Sequence, residues 1–331
     1  MKTTPVLEVE NLSVGYVSRR GVATAVQDLT LTIHENEIVG LVGESGCGKS
    51  TLAGAIMNIL GPGAYVTEGI IKVLGKDVYR MKPEELRQFR WTEMAMVFQG
   101  AMNVLNPVTT IGSQIIDTLQ AHRPQMGKRE ALDRAEELLR LVRIDPARLR
   151  SFPHELSGGM RQRVVIAIAI ALEPKFVIMD EPTTALDVVV QKSILEQITE
   201  LQERLGFSVL FISHDFNLVN DISHRVGVMY AGRLVEMAKS SREWRGEPHH
   251  PYSLGLVHAI PQLTAAKDEI RGIPGSPPSL FNLPNGCPFH PRCKMRREEC
   301  TTIRPAVRKY GESSIECHLT EDELRGFVYA E

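Results

Sequence analysis

The sequence predicts an α/β fold, and three stretches carry that prediction. Residues 37–42, 176–179 and 208–212 are short apolar runs, the first ending in a glycine-rich turn, and an amphipathic segment, 190–205, separates the other two. Strands covered on both faces read as continuous apolar runs, and strand–helix–strand alternation builds a parallel sheet.

Residues 7–14 and 29–33 alternate apolar and polar side chains, the period of half-buried strands, so the chain is expected to open with antiparallel sheet. Residues 37–42 then feed the glycine-rich turn and a helical stretch predicted over 50–60. From about Pro83 to Leu172 the pattern is mostly helical, with Leu132, Ala135, Leu138, Leu139 and Val142 expected on one apolar face; a helical insertion is predicted over about 95–172. After Gly232 prolines become dense, from Pro248 to Pro305, and four of the five cysteines follow. That shift predicts a first domain over 1–235 and a small, loop-rich C-terminal domain over 236–331.

Composition narrows the function classes. With 331 residues, 43% of them hydrophobic and 24% charged, the chain can bury one large domain or two smaller ones. Lys and Arg number 38 against 40 Asp and Glu, a balance that argues against nucleic acid as a partner. The most apolar stretch, 164–172, is far short of a membrane-spanning helix, which needs about 20 residues. The first residues lack the apolar stretch of a secretory signal, so the expectation is a cytoplasmic protein whose thiols stay reduced rather than paired.

Chemistry concentrates in three motifs. Gly43, Glu44, Ser45, Gly46, Cys47, Gly48, Lys49 and Ser50, followed by Thr51, fit G-x-x-x-x-G-K-[ST] between a predicted strand and a predicted helix. Such a loop captures anions: the backbone N–H groups and the helix N-terminus face the phosphates of ATP, the lysine reaches the terminal phosphates, and the serine hydroxyl binds Mg2+. Cys47 occupies one of its variable positions, and its thiol would make the loop sensitive to thiol reagents. The apolar run at 176–179 delivers Asp180, a carboxylate suited to the magnesium shell, and next to it Glu181, the expected general base. Ser157, Gly158 and Gly159, leading to Gln162, form a turn that opens a helix and makes a second anion site.

With these motifs in this order the sequence resembles an ABC ATPase. The fold this implies is a P-loop NTPase of the ABC ATPase type: a RecA-like α/β core with an antiparallel β-subdomain and a helical subdomain. In that family the Ser157–Gly158–Gly159–Gln162 signature acts on ATP held by the phosphate loop of another subunit. The resemblance also implies that Tyr16 stacks on adenine, that Gln99 contacts magnesium and the attacking water, that Asp187, after Ala185 and Leu186, lies on the loop crossing the dimer seam, and that His214 is the switch histidine at the γ-phosphate. Magnesium would then be held through Ser50, Gln99 and Asp180.

Beyond residue 235, the stretches at 250–256, 259–261, 275–278 and 283–293 resemble the C-terminal extension of oligopeptide and dipeptide importer ATPases. That implies a peripheral subunit on the cytoplasmic face of the membrane, working as a heterodimer with a sister ABC ATPase beneath two transmembrane channel subunits, and fed indirectly by a solute-binding protein. Relatives with this extension also import oligosaccharides or nickel, and residues 99–107 depart from the Gln-Asp-Pro of peptide members, so these cargoes stay open, as does a soluble, non-transport ABC ATPase. Cys287, Cys293, Cys300 and Cys317 have five, six and sixteen residues between them and no C-x-x-C pair. The resemblance implies a 4Fe-4S cluster on these four; zinc, joined by His290 or His318, and unligated thiols are the alternatives.

Overall fold

The computed structural model describes residues 4–18, 21–100, 104–184, 186–240, 247–258 and 272–327. Expectations resting on residues 101–103, Ala185 and 259–261 lie outside them. The first elements are β1 (Pro5–Ser18), β2 (Gly21–His34), β3 (Ile38–Val42), α1 (Lys49–Ile56), β4 (Ala64–Val73) and β5 (Lys76–Asp77). Helix α1 is shorter than the predicted 50–60, because Asn58 turns into the left-handed region at φ 53. The chain continues through α2 (Pro83–Thr92), β6 (Met94–Val97), α3 (Ile111–His122), α4 (Lys128–Leu141), α5 (Gly158–Ala169), β7 (Phe176–Asp180), α6 (Val188–Leu205) and β8 (Ser208–Ile212). It ends with α7 (Phe216–Ile222), β9 (Arg225–Tyr230), β10 (Arg233–Lys239), α8 (Pro251–His258), α9 (Glu299–Thr302), β11 (Val307–Tyr310), β12 (Ser313–Glu316) and α10 (Glu321–Gly326).

Two compact units emerge. The first comprises the described residues of Met1–Glu8, Thr32–Ile38 and Lys72–Ile212, the second those of Val9–Leu31, Val39–Ile71 and Ser213–Glu331.

The first unit is organised on three parallel strands in the order β8-β7-β6, with Met94 opposite Phe176 and Phe176 opposite Ser208. Every residue of the three strands is buried, which is why β7 and β8 show as apolar runs. β6 interrupts the stretch expected to be mostly helical; its four residues, Met, Ala, Met and Val, are too few to show a period. Around the strands, α4 buries Ala131, Ala135, Leu138 and Leu139, while Leu132 is 42% exposed. The predicted apolar face is therefore corrected by one position: the i, i+4, i+7, i+8 stripe starts at Ala131. Helices α5 and α6 are tied by Arg163, whose guanidinium donates to Gln197 Oε1 (2.8 Å), Ser193 Oγ (2.9 Å) and Val142 O (3.3 Å).

In the second unit β3 pairs in parallel with β9, and β10, β12 and β11 extend the sheet antiparallel in the order β11-β12-β10-β9-β3. The loop-rich C-terminal stretch thus contributes two strands to a sheet shared with the strand that leads to the glycine-rich turn. Its own apolar cluster is small, Ile315, Leu319 and Leu324, with Met295, Tyr310 and Cys317 against it. A buried ion pair joins β10 to β12: the Arg233 guanidinium donates three hydrogen bonds of 2.8 to 3.0 Å to the Glu316 carboxylate, both side chains 4% exposed or less. Close approach also selects Gly40 in β3, where a Cβ would stand 2.0 Å from Val219 Cγ1 of α7.

Candidate active site

The glycine-rich turn, Tyr16 and His214 belong to the second unit. Between β3 and α1 the backbone curls tightly enough that only glycine fits at two places: a Cβ on Gly43 would lie 2.2 Å from Met229 O, and one on Gly48, at φ 108, 2.2 Å from Ala25 O. Gly48 caps α1 without any side-chain hydrogen bond, so the first amides of the helix are free for an anion. Lys49, 5% exposed, folds back over the loop, its Nζ donating to Gly43 O (2.6 Å) and Glu44 O (3.1 Å) and lying 3.6 Å from Cys47 Sγ. A buried ammonium that, among the described residues, is held by neutral groups in a ring of backbone is a cradle for phosphate. Burial, opposed by Lys49, raises the Cys47 thiol pKa, so this sulfur is not a reactive thiolate.

Tyr16 places its hydroxyl 3.3 Å from Thr51 Oγ1, at the end of the loop, and Ser50 is exposed beside it. His214 is exposed, between Ser213, whose amide donates to Leu41 O of β3 (3.1 Å), and Asp215, whose carboxylate accepts from the Asn217 and Leu218 amides to cap α7.

Glu44 has partners that no sequence pattern announces. Its carboxylate receives both terminal nitrogens of Arg292, at 2.6 and 3.0 Å, and its amide donates to Tyr252 Oη (3.0 Å). Tyr252 packs against Tyr230 and Phe289, with ring centroids 4.6 and 5.3 Å away. Below it, Glu236 accepts from His249 Nδ1 (2.6 Å) and from the His250 amide (2.8 Å).

The first unit holds Gln99, the Ser157 turn, Asp180, Glu181 and Asp187. Gln99 Nε2 donates to Glu181 Oε2 (3.1 Å), and Thr184 Oγ1 donates to the same oxygen (2.9 Å). Glu181 sits just past β7 in the left-handed region, φ 48, pinned by its amide to Ile212 O (2.9 Å). A non-glycine residue held there costs on the order of 1 kcal/mol or more, a strain typical of working sites. Thr184 was not expected; nothing in a lone threonine two residues after Pro182 signals its contact. Asp180, the last residue of β7, is 3% exposed.

Ser157 is exposed and caps α5, its Oγ accepting from the Met160 amide (3.3 Å). Gly159 has no room for a side chain, since a Cβ would lie 2.7 Å from Val190 Cγ1. Gln162, by contrast, is 3% exposed, so of the four signature residues it alone turns its side chain inward. Asp187 caps α6 through the Val190 amide (3.0 Å) and is itself exposed.

The four C-terminal cysteines come near one another without forming a ligand set. Burial, with the charges of the neighbouring cysteines, pushes the thiols of Cys287 and Cys293 up to about 12 and that of Cys317 up to about 11. Among the described residues no group of three or more His, Cys, Asp or Glu side chains is arranged to hold a metal ion. His290 Nδ1 and His318 Nε2 are engaged with the carbonyls of Cys287 (2.9 Å) and Ile303 (2.8 Å). The expected iron–sulfur or zinc site therefore does not fit the thiols as they stand, because a metal needs thiolates converging on one point.

Comparison with known proteins agrees with the motif order. Residues 26–184 match the ABC transporter family, and residues 235–300 the C-terminal region of oligopeptide/dipeptide transporters. The dipeptide transport ATP-binding protein DppD of Caldanaerobacter subterraneus subsp. tengcongensis is 40% identical over 96% of this chain and 98% of its own. A putative peptide import ATP-binding protein of Brucella abortus is 44% identical over 96% of both chains. The oligopeptide transport ATP-binding protein OppD of Haemophilus influenzae is 40% identical over 97% of this chain and 99% of its own. Among solved structures, the ATP-binding cassette MJ0796, a dimer bound to ADP and Pi, superposes with a TM-score of 0.64 at 28% identity, covering 72% of this chain and all of that one.

Proposed function

The chain belongs to the ABC transporter family, among the ATP-binding proteins of its oligopeptide/dipeptide branch, and on that footing we propose that it hydrolyses ATP to power the import of di- and oligopeptides. Its fold is accordingly that of a P-loop ABC ATPase. The observation that carries the proposal is the cradle at Gly43, Gly48 and Lys49: a buried ammonium inside a ring of backbone that only glycines permit.

ATP and Mg2+ suit the donors present, amides and an ammonium for phosphate, a hydroxyl, an amide oxygen and a carboxylate for a hard cation. When bound, magnesium supplies charge neutralisation on the phosphates; Ser50, Gln99 and Asp180 would hold it. Lys49 and the α1 amides bind the β- and γ-phosphates. Glu181, aimed by Gln99 and Thr184, takes the proton of the water that attacks the γ-phosphorus, and the bond to ADP breaks. Tyr16 contacts the base and His214 the γ-phosphate. The exposed Ser157 and the half-buried Gly158 and Gly159, with Asp187 at the seam, serve ATP on a second cassette; the dimeric state of MJ0796 supports this. We take that second cassette to be a sister subunit, and the assembly to sit on the cytoplasmic face of the membrane beneath two channel subunits. No helix of the described residues is long and apolar enough to cross a bilayer. The separate family matches over 26–184 and 235–300 support a division into 1–235 and 236–331.

The test is Glu181→Gln. It should keep ATP binding while lowering turnover by about 10²-fold or more, the usual weight of a general base; full turnover removes the assigned base. A 4Fe-4S cluster or zinc on Cys287, Cys293, Cys300 and Cys317 is a finer reading. Nearness of the thiols supports it and the lack of a ligating arrangement weighs against it, so no step above passes through such a group. Equal iron and sulfide in anaerobically purified chain would establish the cluster, and metal-free chain would end it.

A further inference from the structure

Glu44 is an anomaly in the loop that the proposed function assigns to ATP. A carboxylate there faces the binding of a highly charged anion, and Lys49 does not answer it, since that ammonium takes the Glu44 carbonyl rather than its side chain. The answer comes from 248 residues away. Arg292, 5% exposed at its side chain, places both terminal nitrogens on the Glu44 carboxylate. It is no loose surface pair. Its Nε donates to Pro274 O (2.8 Å), its Nη2 reaches Ile273 O (3.4 Å), its Nη1 reaches Tyr230 Oη (3.4 Å), and the guanidinium lies 5.8 Å from the Tyr230 ring centroid. Burial works against the charge on Arg292, but the hydrogen bonds to Glu44 and Tyr230 outweigh it and leave its pKa raised. Tyr252 meanwhile takes the Glu44 amide, so the residue is held at side chain and backbone by the C-terminal stretch.

We propose that Arg292 is a positioning residue of the ATP site: by neutralising Glu44 it keeps that carboxylate away from Lys49 and leaves the ammonium to the triphosphate. The C-terminal extension then belongs to the nucleotide-binding machinery. A preset, bidentate fork on a carboxylate is suited to that task, because it fixes direction as well as charge. Without it the Lys49 ammonium, which already lies 3.1 Å from the Glu44 carbonyl, becomes a partner for the Glu44 carboxylate, and the two would pair at the expense of ATP.

This inference rests on the loop being the ATP site, so the experiment carries a control for that premise. Equilibrium binding of Mg-ATP to the full chain is measured for wild type, Arg292→Ala, Arg292→Ala with Glu44→Gln, Arg292→Lys and Lys49→Ala, with the thermal midpoint of each. Arg292→Ala should raise the Kd for ATP at least about tenfold, as expected for an unscreened charge at a part-buried site. Adding Glu44→Gln should bring the Kd back most of the way without restoring the thermal midpoint, since the contacts to Pro274 and Ile273 are lost in both variants. Arg292→Lys, which keeps charge but not the fork, should weaken ATP less than Arg292→Ala and serves if the alanine variant does not fold. An unchanged Kd in Arg292→Ala, or no recovery on adding Glu44→Gln, overturns the proposal and leaves Arg292 a structural staple. Undiminished ATP binding by Lys49→Ala would instead overturn the reading of the loop itself.

Discussion

Replacing Arg233 by methionine isolates the cost of a buried carboxylate. In the native chain three hydrogen bonds from Arg233 hold Glu316, and the Arg304 Nε lies 3.7 Å from Oε1. Burial pushes the Glu316 carboxyl from 4.5 up to about 8, with Arg304 pulling the other way. Once the fork is gone, the side chain escapes by taking a proton. An acid whose folded pKa is raised loses stability as pH rises from its unfolded value towards its folded one, so removing the fork, which raises the Glu316 carboxyl further, costs more at pH 7 than at pH 5.5. The variant should lose about 3 kcal/mol at pH 7, the few kcal/mol typical of a broken buried pair, and less at pH 5.5. Urea unfolding at both pH values reads the difference, and hydrogen exchange of the β12 amides locates it. Arg233→Met combined with Glu316→Leu should recover to within about 1 kcal/mol of the native chain, because an apolar pair costs no desolvation. A loss that is the same at both pH values would refute the protonation argument, and one below about 1 kcal/mol at pH 7 would refute the pairing.

Three further outcomes follow from the site and its surroundings. Gly48→Ala drives a Cβ to 2.2 Å from Ala25 O at φ 108, whereas Gly46→Ala meets no atom within 4 Å and bears only the backbone strain of φ 80; ATP affinity should therefore fall more in the first variant than in Gly46→Ala, as a nucleotide titration would show. Thr184→Val removes the 2.9 Å donor to Glu181 and should lower kcat about tenfold with little change in KM, the weight of one hydrogen bond to a charged group; an equal rise in KM would place Thr184 in binding instead. Burial holds His250 neutral, its pKa lowered to about 3, so unfolding below about pH 6.5 takes up a proton and stability falls as pH drops, by up to about 1.4 kcal/mol per unit. His250→Gln should flatten that slope in urea midpoints taken between pH 7 and 5; an unaltered slope would mean the ring is not held neutral.

What could be read from the sequence was what leaves a local trace. β7 and β8 lie buried on both faces, so their residues are apolar without interruption, and the strand leading to Gly43 was visible for the same reason. The phosphate loop was legible because φ 80 at Gly46 and φ 108 at Gly48 demand glycine itself. Residues 313–316 and 307–310 gave no such trace: Ser-Ser-Ile-Glu and Val-Arg-Lys-Tyr look like loop, and become strands only because β10 offers an edge to pair with. Leu132 was misplaced because leucine and alanine compete for adjacent positions on α4, and packing, not hydrophobicity, awarded the inner one to Ala131. Arg292 and Tyr252 were invisible as partners of Glu44, since contacts more than two hundred residues apart leave no periodicity to find.

The hairpin of β11 and β12 also decides where the sheet of the second unit stops. Were it absent, β10 would stand at the margin with unpaired backbone groups, an edge that invites a strand from another molecule. With the hairpin in place the margin passes to β11, where Val307, Arg308 and Lys309 are exposed. Two such edges meeting would bring cations face to face, which disfavours growth of the sheet from copy to copy. The hairpin thus acts as a chain terminator for β-pairing, and a protein cut before residue 307 should be prone to clump even where its nucleotide loop is whole.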